Sequence, residues 1–143
     1  MNYFMKLKVV ALCAGLLYGA AALAEVAVIV NPGSGVTSLS DVQAKALFLG
    51  KAKKFPNGAK ATPVDQKEGS SARSVFNEKV LKKSDSQVKA YWSKMVFSGK
   101  ASPLKSVADD AAVKAFVAGT NGAIGYIDAG QVDSSVTVVL TIP

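Results

Sequence analysis

The run PVDQKEGSSARSVFNEKVL, residues 63–81, changes from a strand-like pattern to a helix-like one across a glycine and two serines. Residues 60–66 predict a strand, and Pro63 places that strand near a sheet edge or gives it an irregular end. Apolar side chains then recur with helical spacing, which predicts a helix from about Ser70 to Leu81. The stretch therefore predicts a strand, a glycine turn and a helix start, an arrangement typical of α/β folds.

The two sides of this predicted helix carry different residue types. One side is apolar and is expected to face the core: Ala72, Val75, Phe76 and Val80. The opposite side is polar: Ser70, Arg73 and Asn77. The only arginine of the chain is therefore expected on the solvent side of the helix.

The predicted helix start has the features of an oxyanion site. Backbone N–H groups in a first helical turn lack intrahelical partners, and the helix dipole adds partial positive charge there. Gly69 permits close approach to the backbone, Ser70 and Ser71 can donate hydrogen bonds, and Arg73 can add charge. These four are the candidate ligand-binding residues. The alternative is that a serine only caps the helix and Arg73 is solvated.

The rest of the chain predicts further strands and helices. Strands are expected at residues 25–30, 122–127 and 135–142. A helix is expected from Ser40 to Gly50 with a capping box of Ser40 and Gln43, and another from Ser84 to Gly99 with a capping box of Ser84 and Gln87. A further helix is expected over residues 106–119 with Ser106 and Asp109 as the cap. The resulting order, β-α-β-α-α-α-β-β, predicts an α/β sandwich with some parallel pairing.

Apolar stripes on two of these helices are expected to pack in the core. The stripe of the first helix comprises Leu39, Val42, Ala46 and Leu49. The stripe of the helix that begins at Ser84 comprises Val88, Tyr91, Trp92, Met95 and Val96.

Residues 1–24 have the pattern of a secretory signal peptide. Lys6 and Lys8 precede a short, alanine-rich apolar run that ends in small residues. No second apolar run of about 20 residues follows it. The sequence therefore predicts an exported, periplasmic protein that does not span the membrane, with a single domain at residues 25–143.

The residue inventory limits the chemistry. The chain has no histidine, and its one cysteine, Cys13, lies in the predicted signal peptide. These absences exclude Ser-His-Asp and Cys-His nucleophile systems, a disulfide and most transition-metal sites. Ser102 and Lys105 match a Ser-x-x-Lys spacing but lack the partner motifs of the enzymes that use it. The sequence therefore predicts no enzyme, no catalytic residue, no metal and no cofactor.

The charge of the chain favours anionic partners. The formal net charge is +7, and lysines scattered over several segments supply nearly all of the positive charge. No aromatic residues interleave with them in the manner of a nucleic-acid interface, so no nucleic-acid partner is expected.

Three segments in order, VNPGSGVTSLSDVQAKALFLGK, PVDQKEGSSARSVFNEKVL and GAIGYI, resemble the phosphate-binding, periplasmic solute-binding proteins of ABC importers. The resemblance covers residues 26–128. It implies the type 2 periplasmic-binding fold, phosphate or a similar oxyanion as ligand, and a transporter subunit as a partner. In that family two α/β lobes close over one oxyanion, whereas the length of this chain predicts a single three-layered lobe.

In that family a loop of the form Arg-x-x-Gly-Ser-Gly-Thr-Arg begins a helix and contacts the ligand. The matching run here is QKEGSSAR, residues 66–73. Three positions agree: Gly69, Ser70 and Arg73. Three differ, with Gln66 in place of the first arginine, Ser71 in place of a glycine and Ala72 in place of the threonine. The resemblance therefore implies an oxyanion site with one charge and one hydroxyl fewer.

Two functions follow from these observations. The first is an exported protein that binds phosphate or a similar oxyanion through Gly69, Ser70, Ser71 and Arg73. The second is a one-lobe interaction module that has lost tight ligand binding and docks onto another envelope protein. The departures at Gln66 and Ala72, together with the missing second lobe, motivate the second.

Overall fold

The computed structural model describes residues 25–143; the predicted signal peptide, residues 1–24 with Cys13, lies outside them. The described strands are β1 Val26–Val30, β2 Thr62–Gln66, β3 Lys105–Val107, β4 Ala123–Asp128 and β5 Thr137–Ile142. The described α-helices are α1 Asp41–Phe48, α2 Ser71–Phe76, α3 Asp85–Phe97 and α4 Asp110–Gly119, and a π-helical segment, Asn77–Leu81, continues α2. None of the described helices is long and apolar enough to cross a bilayer.

The strands form one mixed sheet in the order β3-β2-β4-β1-β5. Strand β2 runs parallel to β3 and β4, whereas β1 runs antiparallel to β4 and β5. The carboxyl ends of β3, β2 and β4 therefore lie side by side. Pro63 precedes Val64, where the pairing of β2 with β3 begins, so it occupies an irregular end of an internal strand.

Helices cover both faces of the sheet and give three layers. Successive residues of β1 point to opposite faces. Val28 joins a core cluster with residues of α1, α2 and α3, whereas Ile29 packs in a second cluster with Val113 and Val117 of α4. This arrangement agrees with the predicted three-layered α/β lobe.

The predicted α/β class is confirmed, but the predicted element order lacks one strand. Residues 105–107 pair with β2, so Ser106 is a strand residue and does not cap α4. Helix α4 begins at Asp110, and its cap is Asp109, whose side chain accepts a hydrogen bond from the Ala112 N–H. Strand β3 is short and partly polar. It forms because it pairs with β2, and it carries no apolar pattern that would predict a strand.

The apolar stripe predicted on α1 is wrong in phase, although both predicted capping boxes are present. Val42 is 76% exposed and Ala46 is half-buried. The residues of α1 that enter the core are Ala44, Leu47 and Phe48. Leu39 and Leu49 are buried as expected, but both lie outside the helix. Helical spacing counted from them therefore does not identify the buried face of α1.

The stripe predicted on α3 passes from the core to the surface along the helix. Val88 is buried, and Tyr91 and Trp92 are half-buried against the core. The Tyr91 hydroxyl donates to the Leu49 carbonyl at 2.7 Å. Val96 is 45% exposed. Only the first half of α3 therefore contributes to the core as predicted.

Gly125 of β4 lies directly beneath α4, so we expect a larger side chain at this position to disturb the packing. A Cβ atom at Gly125 would lie 2.5 Å from Val113 Cγ1 and 2.9 Å from Val64 Cγ1. Gly125→Val should lower the free energy of unfolding by about 1–3 kcal/mol, because α4 must move away from the sheet. Gly119→Ala is the control, since a Cβ there meets nothing within 4 Å. Equal stability of the two variants in urea unfolding would contradict this packing.

Candidate functional site

A cleft of about 510 Å³ opens at the carboxyl ends of β3, β2 and β4. The loop after β2, the starts of α2 and α4, and the last residue of β4 form its walls. In α/β proteins, ligands bind beyond the carboxyl ends of parallel strands. Of the four predicted ligand residues, Gly69, Ser70 and Ser71 line this cleft and Arg73 does not.

The start of α2 presents backbone amides to the cleft. Ser70 is the N-cap: its Oγ accepts the Arg73 N–H at 3.3 Å and donates to Gln66 Oε1 at 2.5 Å. Its hydroxyl is therefore used within the protein. Ser71 and Ala72 are the first two helical residues, and their N–H groups precede the first intrahelical hydrogen bond. The donors open to an anion are thus these two amides.

Gly69 makes the turn that aims these amides. Its φ is +88°, in the left-handed region that other residues rarely adopt, and a Cβ there would meet nothing within 4 Å. The glycine is therefore required by the backbone conformation and not by crowding.

Gln66 forms the floor of the cleft and ties its walls together. Its side chain is almost fully buried, and Nε2 donates to Asp110 Oδ1 at 2.7 Å and to the Tyr126 carbonyl at 3.0 Å. Its Oε1 accepts from Ser70. Both amide hydrogens are therefore used inside the protein. Gln66, which stands where the phosphate-binding family has an arginine, therefore links the end of β2 to the starts of α2 and α4.

The charged side chains around the cleft are mostly acidic. Four carboxylates line it, which we call the acidic wall: Glu68, Asp109, Asp110 and Asp128. Lys67 supplies positive charge among the lining residues. Within residues 25–143, no group of three or more histidine, cysteine or acidic side chains is placed to hold a metal ion. A ligand in this cleft meets amide donors and carboxylate acceptors together.

Arg73 belongs to the other side of the sheet. Successive residues of β2 alternate, so Gln66 contacts α4 whereas Asp65 faces away from it. Arg73 Nη2 lies 3.7 Å from Asp65 Oδ2, and the Arg73 side chain is only 13% exposed. The expectation that Arg73 lies on the solvent side is therefore wrong. Asn77, placed on the same polar side, is also buried.

Tyr126 anchors the end of β2 from the neighbouring strand. Its hydroxyl donates to Asp65 and accepts the Gln66 N–H at 3.2 Å, and its ring stacks on Phe76 with centroids 4.1 Å apart. Burial, followed by the charge of Asp65, raises the pKa of Tyr126 far above its usual value of 10. The hydroxyl therefore remains a donor to Asp65 at physiological pH.

None of the four acidic-wall residues was placed in the site by the sequence analysis, and two of them are Asp110 and Asp128. Both lie at the carboxyl ends of parallel strands or directly after them. Recognition of β3 would have placed residues 108–111 at the same edge as the glycine turn, because adjacent parallel strands end together. The missed strand therefore explains the missed Asp110.

Solved structures similar to this chain share its fold. A Clostridium perfringens protein, described as a phosphate ABC transporter substrate-binding protein with bound phosphate, gives a TM-score of 0.65 and 26% identity over 81% of this chain and 45% of its own. An ABC-type phosphate transport receptor from Vibrio cholerae gives 0.63 and 21%, over 81% and 46%. PstS from Borrelia burgdorferi gives 0.60 and 15%, over 81% and 47%.

These similarities confirm the predicted resemblance to phosphate-binding solute-binding proteins at the level of the fold. The chain spans less than half the length of each of these three proteins. No protein-family model and no curated protein matches it.

Proposed function

We propose that this protein is an exported, non-enzymatic binding protein for phosphate or a similar oxyanion, which occupies the cleft. Ser71 and Ala72 donate their backbone N–H groups to the ligand, Gly69 allows the ligand to approach the backbone closely, Ser70 positions the loop, and Arg73 adds positive potential from behind the helix start. The observation that carries the proposal is that the amides of Ser71 and Ala72 open into a cleft at the ends of three parallel strands.

The structural similarities support this choice of ligand. A protein with 26% identity and the same fold over 81% of this chain was solved with bound phosphate. The predicted signal peptide supports export. N-terminal sequencing of protein recovered from the periplasm of a producing strain tests that step, and a chain that begins at Glu25 is expected.

The acidic wall determines which oxyanion should bind better. A carboxylate accepts a hydrogen bond from a hydroxyl group but repels an unprotonated anionic oxygen. Phosphate retains at least one proton near neutral pH, whereas sulfate retains none. Phosphate should therefore bind more tightly than sulfate, with its hydroxyl directed to the acidic wall.

Isothermal titration calorimetry of the purified protein with phosphate and with sulfate tests the proposal. Ser71→Pro should weaken phosphate binding about tenfold, because it removes one N–H that donates to a charged group. Proline is tolerated at the first helical position, and Ser70 already has the extended conformation that precedes a proline. The fold should therefore persist.

Asp41→Pro is the matched control, since Asp41 holds the same position in α1, away from the cleft. It should leave phosphate affinity unchanged. Absence of phosphate binding in the folded protein would overturn the proposal, as would equal affinities of Ser71→Pro and the parent protein.

A further inference from the structure

Two cavities beside the cleft meet at Arg73. They measure about 280 and 380 Å³, and both have Glu68, Arg73 and Lys89 in their walls. We call them together the Arg73 groove. It lies between α2, α3 and β3, on the side of β2 that carries Asp65.

The guanidinium of Arg73 is short of partners in this groove. Its Nε atom is buried and has no hydrogen-bond partner among the described residues. Its Nη2 atom lies 3.7 Å from Asp65 Oδ2, which is beyond hydrogen-bond distance. A largely buried guanidinium whose Nε–H has no acceptor, and whose pairing with Asp65 is loose, favours an added acceptor.

The carboxylates that surround Arg73 already have donors. Asp65 Oδ1 accepts from the Tyr126 hydroxyl and from the Gln66 N–H. Asp85 accepts from Ser74 Oγ at 2.6 Å and from Asn77 Nδ2 at 3.0 Å. These hydrogen bonds hold the pKa of Asp85 below its usual value of 3.8, so it stays ionised.

The third carboxylate of the groove, Glu68, is held weakly. Glu68 Oε1 lies 3.8 Å from Lys89 Nζ, and both side chains are about two-thirds exposed. Such surface pairs contribute little and exchange partners readily. Lys89 is therefore free to turn toward a ligand, and the group in the groove that lacks an acceptor is the Arg73 guanidinium.

The far wall of the groove is apolar. Trp92 and Leu104 are half-buried there, Val96 is 45% exposed, and Pro103 is exposed. Trp92 and Val96 belong to the stripe that was predicted to lie in the core; Trp92 packs against the core and also lines the groove, whereas Val96 is exposed and lines the groove. One charged contact and an apolar wall together match a ligand with one anionic group on an apolar chain.

We propose that the Arg73 groove binds a small organic monocarboxylate, with its carboxylate on Arg73 and Lys89 and its apolar chain against Trp92 and Val96. A planar carboxylate matches the fork of a guanidinium. A monoanion is also repelled less than a dianion by the neighbouring carboxylates. This site adjoins the phosphate cleft and shares Glu68 and Gly69 with it, but it takes a different ligand and does not depend on the proposed function.

Trp92 provides a direct test, because it is the only tryptophan in the chain. Titration of the purified protein with hexanoate should shift the Trp92 fluorescence in a saturable way. Neutral hexanamide should produce no saturable shift, because it lacks the charge. No saturable change with hexanoate, or the same change with hexanamide, would overturn the proposal.

Variants separate this site from other binding. Arg73→Gln should raise the half-saturating hexanoate concentration about tenfold, by loss of the charge-assisted hydrogen bonds. Because Arg73→Gln also disturbs the pair with Asp65, Val96→Asp gives a second test at a half-exposed position and should weaken binding similarly. Lys94→Gln, on an exposed part of α3 that does not line the groove, is the control.

A peptide C-terminus has the same chemistry as an organic acid and must be distinguished from it. N-acetylleucine, which mimics a C-terminal leucine, should bind no more tightly than hexanoate. Tighter binding of N-acetylleucine would overturn the assignment to a free organic acid, as would unchanged hexanoate binding in both Arg73→Gln and Val96→Asp.

Discussion

Phe76→Ala should lower the free energy of unfolding by about 3–5 kcal/mol. Phe76 is fully buried between two other rings: its centroid lies 4.1 Å from that of Tyr126, stacked, and 4.7 Å from that of Phe48, edge-on. Loss of the ring removes apolar area, leaves a cavity and breaks both aromatic contacts. Urea unfolding followed by circular dichroism measures the change.

Phe97→Ala is the matched control for this prediction. Phe97, at the end of α3, is 96% exposed. Its removal should change the free energy of unfolding by no more than about 0.5 kcal/mol. Equal destabilisation of both variants, or a Phe76→Ala variant as stable as the parent protein, would contradict the stabilising role of the three-ring contact.

Gln66→Arg should raise phosphate affinity by about 10- to 100-fold, the gain expected from a new hydrogen bond to a charged group. Gln66 lies at the floor of the cleft, where its Nε2 already contacts Asp110 at 2.7 Å. An arginine there would add positive charge beside the acidic wall and bring further donors into the cleft. Calorimetric titration with phosphate measures the gain, and thermal unfolding checks that this buried substitution leaves the protein folded.

Thr141→Arg adds the same charge at an exposed position of β5, at the opposite edge of the sheet. Screening at physiological salt should keep its effect on phosphate affinity below about twofold. A similar rise in both variants would show that general charge drives binding and not the cleft. An unchanged affinity in Gln66→Arg would argue that the ligand does not lie near the floor of the cleft.

Local signals in the sequence predicted most of the elements. The apolar run at residues 25–30 and the capping boxes at Ser40 and Ser84 need only neighbouring residues, and all three appear in the structure. Strand β3 could not be read in this way, because each of its residues pairs with a β2 residue 41 positions earlier in the chain. The predicted buried face of α1 was also wrong, because the predicted stripe included Leu39 and Leu49, which flank the helix.

The candidate site was predicted only in part, for reasons of register. Gly69 and the helix start follow from local chemistry, and both line the cleft. The environment of Arg73 depends on the face of β2 from which the Asp65 side chain projects. That face is set by the pairing of β2 with its neighbouring strands, which the local sequence does not reveal. The hydrogen bond from Gln66 to Asp110 joins residues that are 44 positions apart in the sequence, so no local pattern predicts it.

The central claim is that the free amides at the start of α2 hold the oxyanion, and their NMR chemical shifts test it most directly. In a phosphate titration followed by ¹H–¹⁵N spectra, the amide resonances of Ser71 and Ala72 should move progressively and saturate together. The amides of the lysine-rich segment 51–60 should stay unchanged. Saturable shifts confined to that segment, or none at Ser71 and Ala72, would contradict the account.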